Sequence, residues 1–137
     1  MVVLIDTNVI LDVLLKRLPY YEKSLLVWEL SLKHQIKGVL AAHGITNLWY
    51  ILRKDYSGAE RRELLSSILE VFEISPLTKD KLVSAINRSD FKDFEDCLQD
   101  ECAIHAKADC IVTRNVKDFV NAKIPVFTPE EFVKKYS

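Results

Sequence analysis

The feature that most constrains this chain is an alternation of two periodicities. Short apolar, β-branched runs at residues 2–5, 39–42, 71–75, 110–113 and 125–127 are separated by longer stretches of helical spacing. The helical stretches cover residues 8–17, 21–34, 46–54, 59–69, 79–87 and 94–107. Strands separated by helices connect by right-handed crossovers, which produces a parallel sheet covered on both faces. The short runs lack polar/apolar alternation, as strands buried on both sides require. The expected fold is therefore α/β: a three-layer α/β/α sandwich with a central parallel sheet of about five strands. Two helix starts are also written into the sequence. Ser57-Gly58-Ala59-Glu60 and Thr128-Pro129-Glu130-Glu131 both read as capping boxes, the second with proline at the first helical position.

The 137 residues suit one domain, residues 1–137, because a second fold would leave both without an adequate core. Nineteen Lys and Arg oppose twenty Asp and Glu, for a net charge of −1, so no global basic field draws in nucleic acid. An anionic partner must be held by a local patch or through metal ions. The longest apolar runs have five residues, far short of the roughly 20 that cross a bilayer, so no membrane association is expected. Asp6 interrupts the N-terminal run and no basic segment precedes it, which argues against a secretory leader. The three cysteines, Cys97, Cys102 and Cys110, form no disulfide framework and fit a reducing cytoplasm. Cys97, Cys102 and His105 hint at zinc, but offsets of five and eight scatter them around a helix and no fourth ligand is suitably spaced; buried structural thiols are expected.

In open parallel sheets the chemistry lies beyond the carboxyl ends of the strands, here just after residues 5, 42 and 113. Asp6 follows the first run and serves equally as a helix cap or as a catalyst. His43, Thr46 and Asn47 follow the second; Thr46 or Asn47 could cap the next helix, and His43 reads first as a structural histidine. Thr113, Arg114, Asn115, Lys117 and Asp118 follow the fourth. The densest acidity lies at residues 90–101, where Asp93, Asp96 and Asp100 fall within about 60° of one another on a helix. Phe94, Leu98 and Cys102 then point toward the core, and Glu101 with His105 forms a structural i,i+4 pair. An acidic face is commonly just solvated, but at ~5 Å and an effective dielectric of ~20 each pair of carboxylates repels by about 3 kcal/mol. A bound cation removes that cost. All-oxygen ligands suit Mg²⁺ or Mn²⁺, and such a site beside arginine suits phosphodiester chemistry.

Four segments together resemble the PIN domain family, across essentially the whole chain. They are residues 2–12 (VVLIDTNVILD), 93–98 (DFEDCL), 108–119 (ADCIVTRNVKDF) and 128–132 (TPEEF). The resemblance is to the single-domain prokaryotic branch that includes the toxin ribonucleases of type II toxin–antitoxin pairs. It implies a PIN-like sandwich and a divalent-metal-dependent endoribonuclease whose products carry 5′-phosphate and 3′-hydroxyl ends. By position, Asp6 matches the first metal-binding aspartate, Asp96 the aspartate of the acidic helix, Asn8 the polar residue bracing the first loop and Thr113 the hydroxyl near the metal. The family's second acid falls about at Asn47 and its fourth at Asn115, where amides bring no charge. Asp93 and Asp118 are the substitutes, and Asp100 a weaker one. The implied catalytic and metal-binding set is thus Asp6, Asp96, Asp93 and Asp118, supported by Asn8, Asn47, Thr113 and Asn115. Arg114, Lys117 and Arg53 are the candidate substrate contacts. The implied partners are an RNA substrate, a separate antitoxin and a second copy of the chain as a homodimer.

Two rival phosphotransfer folds lack their residues here. A haloacid-dehalogenase-like phosphatase needs an acid at Asn8, and a response-regulator receiver needs an aspartate where the chain has Ile74-Ser75-Pro76. The alternative from another class is a PIN fold retained as an RNA-binding or protein-interaction module, with Asn47 and Asn115 marking weakened metal binding.

Overall fold

The computed structural model describes residues 1–136. Five parallel strands, β1 (Val2–Ile5), β2 (Lys37–Ala41), β3 (Glu73–Ser75), β4 (Cys110–Val112) and β5 (Val126–Phe127), form one sheet in the order β3-β2-β1-β4-β5. The helices are α1 (Thr7–Leu14), α2 (Tyr21–Leu32), α3 (Ala42–Ile51), α4 (Gly58–Val71), α5 (Lys79–Ile86), α6 (Phe94–His105) and α7 (Pro129–Tyr136), with short 3₁₀ turns at Leu52–Lys54 and Val116–Phe119. Successive residues of β1 feed opposite faces, as the pleat dictates. Val3 and Ile5 pack with Val9, Ile10, Val27, Leu48, Ile68 and Phe132, whereas Leu4 packs with Cys102, Ala103 and Phe119. Helices α1–α4 and α7 therefore cover one face and α6 the other, giving the three-layer α/β/α sandwich. Helix α5 packs on α6 through Ala85, Cys97 and Leu98.

The strand order places the site. From β1 the chain proceeds outward through β2 to β3, then returns to the other side of β1 for β4 and β5. The sheet changes winding direction between β1 and β4, and a crevice opens beyond the carboxyl ends of those two strands. Asp6 and Thr113 are the first residues past them, and the Asp6 amide still donates to the Val112 carbonyl at 2.9 Å.

Both capping boxes form. Ser57 Oγ accepts from the Glu60 amide at 3.1 Å while Glu60 accepts from the Ser57 amide at 2.8 Å, and Thr128 and Glu131 make the same exchange. All three cysteines are free and buried, each in a different packing cluster. Two local expectations fail. Helix α3 starts at Ala42, directly after β2, and not at Thr46. Neither Thr46 nor Asn47 caps it: the extended Ala41 takes the cap position with no side-chain bond, and Thr46 Oγ1 donates back to the His43 carbonyl at 2.8 Å. Gly44, inside the first turn of α3, is a packing residue. A Cβ there would lie 2.7 Å from Thr7 Oγ1, so only glycine lets α3 come this close to the start of α1. The second failure is Phe94, which is 46% exposed and not in the core. Among the described residues no helix is long and apolar enough to cross a membrane.

Candidate active site

The crevice is a cleft of about 230 Å³ whose wall includes Asp6, Asn8, His43, Asn47, Asp96 and Asn115, with Glu95 and Gln99 from α6. Asp6 and Asp96, 90 residues apart in sequence, thus meet at one site. The sheet supplies Asp6, α1 supplies Asn8, α3 supplies His43 and Asn47, and α6 contributes through its first two turns.

Asp6 is held from several sides. It takes the N-cap position of α1 without a capping side-chain bond. Its Oδ1 accepts from Gln99 Nε2 at 2.6 Å, and its Oδ2 accepts from Thr113 Oγ1 at 2.7 Å and Asn8 Nδ2 at 3.3 Å. Thr113 Oγ1 in turn accepts from the Asn115 amide at 3.1 Å, and Asn8 Oδ1 from the Arg114 amide at 3.4 Å. The loop after β4 is therefore pinned to the loop after β1. Burial pushes the Asp6 carboxyl above its ordinary range, opposed by the Thr113 and Gln99 hydrogen bonds.

Asp96 is held by nothing. No hydrogen bond or ion pair to its carboxylate exists among the described residues, only a bond from its own amide to Asp93 Oδ1 at 3.1 Å. Burial raises its pKa to about 7, and the negative charges of Asp93, Asp6, Asp118 and Glu95 add to the effect. A half-buried carboxylate with four acidic neighbours and no donor is the arrangement that a hard cation relieves.

The other expected residues divide. Asn47 lies in the cleft, where its Nδ2 donates to Glu95 Oε2 at 3.3 Å, so an acid from α6 stands beside the amide on α3. Asn115 also lines the cleft. Asp93 and Asp118 line an adjoining cavity of about 510 Å³ with Lys117; Asp93 caps α6. Both act on Asp96 through their charge. Asp100 does not join an acidic stripe with Asp93 and Asp96. Asp93 is a cap with extended backbone, so the helical angle does not apply to it, and Asp100 is buried against Arg88 Nη2 at 2.7 Å and the Lys123 amide at 3.1 Å. The face of α6 turned to Asp6 carries Glu95, Asp96 and Gln99.

Arg114 does not reach into the cleft. Its Nε lies 2.7 Å from Oδ2 of the fully buried Asp12, and its guanidinium stacks over the Tyr20 ring at 4.1 Å. Burial raises the Asp12 pKa, while Arg114 and a hydrogen bond from Ser24 draw it down. Arg53 is exposed and folds over the Tyr50 ring at 3.7 Å. Gln99 and Glu95 escaped the sequence reading; the one signal for Gln99 was its place three residues after Asp96, on the same helical face. His43 turns out to line the cleft, its Nδ1 buried without a partner. Burial lowers its pKa, against the pull of Glu95 and Asp6.

Apart from the His43 imidazole the donors are hard oxygens: two aspartates that share the cleft, a glutamate at its rim and the amides of Asn8, Asn47, Gln99 and Asn115. Among the described residues no three of His, Cys, Asp and Glu close into a preformed metal cage. Residues 2–117 match the family model described as PIN domain. The chain belongs to the PIN domain family.

Solved structures with the same fold extend the comparison. FitAcB from Neisseria gonorrhoeae superposes with a TM-score of 0.70 at 20% identity, covering 93% of this chain and 98% of that one. VapBC2 from Rickettsia felis, solved with a DNA fragment from its promoter, gives 0.68 at 18% identity, with 93% and 98% covered. A toxin–antitoxin complex from Klebsiella pneumoniae gives 0.68 at 21% identity, with 93% and 97% covered. No curated protein matches the chain. The PIN fold thus accounts for nearly the full length, and its crevice between β1 and β4 is where the acidic cleft lies.

Proposed function

We propose that this PIN protein is a divalent-metal-dependent endoribonuclease and the toxin of a type II toxin–antitoxin pair. The observation that carries the reading is Asp96: an unpaired carboxylate facing a rigidly held Asp6 across a cleft at the sheet's switch point. Asp6 and Asp96 would hold Mg²⁺ or Mn²⁺, with the charges of Glu95, Asp93 and Asp118 strengthening the attraction. When bound, the cation supplies Lewis-acid polarisation of the phosphodiester and a more acidic water. Gln99, Thr113 and Asn8 fix the Asp6 carboxylate so that its free lone pairs keep one orientation. Asn47 and Asn115 offer neutral oxygens, which lowers the charge of the site and its expected affinity. Water attacks phosphorus in line, the bond to the 3′ oxygen breaks, and that oxygen takes a proton, leaving 5′-phosphate and 3′-hydroxyl ends.

Because Arg114 is committed to Asp12, Lys117, in the cavity lined by Asp93 and Asp118, is the better placed basic residue for RNA; Arg53 is folded over Tyr50. The named complexes among the solved structures support a separate antitoxin partner; the homodimer and the cytoplasmic location rest on the family resemblance alone. The amides at Asn47 and Asn115 favour one second reading, a PIN-fold module that binds RNA without cutting it. End-labelled structured RNA incubated with Mg²⁺ or Mn²⁺ separates the two. Cleavage by the wild type that falls at least 100-fold in Asp96→Asn supports the nuclease. Equal cleavage by both proteins, or cation-independent RNA binding without cleavage, overturns it.

A further inference from the structure

A second cavity, of about 480 Å³, opens beside the edge strand β3 and its neighbour β2, the start of α5 and the end of α6. It shares no residue with the acidic cleft. Its wall includes Lys81, which is 3% exposed. The ammonium donates to Ser75 Oγ at 2.9 Å and to the Pro76 carbonyl at 2.5 Å, both neutral oxygens. No carboxylate lies within ion-pair distance of it among the described residues, in contrast to Arg88, which has two close partners. Burying an ammonium costs several kcal/mol, on the order that only an opposite charge offsets, and two neutral acceptors leave the charge itself uncompensated. Two of its three donors are used.

Other features of the cavity point the same way. Thr78 and Lys81, from the N-terminal end of α5, line it, and a helix start favours negative charge. The Thr78 hydroxyl accepts from the Lys81 amide at 3.3 Å, fixing that turn. Lys37 and Glu73 at the rim neutralise each other at 3.0 Å. Val39 and Ile74 supply apolar wall.

We propose that this cavity binds a small oxyanion, the carboxylate or phosphate head of a small molecule, against the Lys81 ammonium and the first turn of α5. Val39 and Ile74 take any apolar body the ligand carries, and Asp80 on the cavity wall disfavours an extended polyanion such as RNA. The site is separate from the nuclease reading and does not depend on it.

The test is a titration of the ¹⁵N-labelled full chain, followed by amide shifts, with sodium phosphate in one arm and sodium acetate in the other. Chloride holds the ionic strength constant. The expected result is saturable shifts at residues 75, 77–81 and 105–106 in at least one arm, and the arm that saturates identifies the head group. Lys81→Met weakens that binding at least tenfold. Ala106→Glu, which leaves Lys81 in place and adds a carboxylate to the cavity wall, weakens it as well and decides alone should Lys81→Met fail to fold. Shifts that are absent or linear at these residues in both arms, or saturation unchanged in a folded variant, overturn the proposal.

Discussion

Helix α6 carries acids on two successive turns, and they live under opposite conditions. Asp100 and Glu101 are buried, and Arg88 meets both, through Nη2 and Nη1, each at 2.7 Å. Burial pushes the Glu101 carboxyl up, but hydrogen bonds from Ser84 and Arg88 outweigh it and its pKa lies below the ordinary value. One turn earlier Asp96 has no donor and four acidic neighbours, and its pKa lies at about 7. Residue type and helix are the same; the supply of donors differs. The paired turn ties α6 to the segment after α5, while the unpaired turn keeps a charge that folding alone does not balance. Stability and chemistry are thereby separated by about 6 Å of helix rise.

Four substitutions break or sharpen this contrast. The largest effect belongs to Arg88→Met, which strands two buried carboxylates and costs about 3–5 kcal/mol in urea unfolding. Adding Asp100→Asn and Glu101→Gln restores most of it; a loss below about 1 kcal/mol for Arg88→Met would show that the two turns are not different in kind. Thr113→Val removes a charge-assisted bond to buried Asp6 and costs about 1.5–3 kcal/mol at pH 8. Since that bond opposes the raised pKa of Asp6, the loss is smaller at pH 4, where the carboxyl is increasingly protonated; equal losses at both pH values contradict this account.

Asp96→Asn runs the other way. A carboxyl whose pKa is raised on folding disfavours the folded state once it ionises, so the penalty is absent below the unfolded value near 4 and complete above about 7. Without divalent cation the substitution should stabilise the protein by about 1–2 kcal/mol at pH 8, discounted for solvent screening, and by almost nothing at pH 4. Thermal unfolding at the two pH values checks it, and destabilisation at pH 8 would contradict the unpaired state of Asp96. The smallest net effect is that of Asp93→Ala. Loss of the α6 cap costs about 1 kcal/mol, but removal of a neighbouring negative charge lowers the Asp96 pKa and returns part of that at pH 8. Carbon-detected titration of the Asp96 carboxyl reads the shift directly, and an unmoved midpoint refutes the coupling.

Much of the fold was legible because the strands are short buried runs and the helix starts carry their own caps. Strand β1 has the bounds the pattern predicts, and both capping boxes form. The start of α3 was not legible: the helical spacing begins at Thr46, whereas the helix starts at Ala42, where Gly44 admits Thr7 across the interface. In the site, Asp6, Asn47, Thr113 and Asn115 stood out at strand ends and Asp96 in the acidic run, while the resemblance to PIN domains assigned their roles and added Asn8; the fold gathers them around the crevice. Arg114 was misjudged because adjacency in sequence says nothing of a buried aspartate 102 positions away.

The sequence by itself determined the layered α/β plan, the chain's place in the PIN family and the concentration of acids on α6, since these depend on local periodicity and short motifs. Only the tertiary structure decided which acids are satisfied and which are left charged. Gln99 and Thr113 reach Asp6 across 93 and 107 residues, and Arg88 claims Asp100 and not Asp96. A carboxylate's state is set by the donors and charges within a few ångströms of it, and the folded chain alone brings those together.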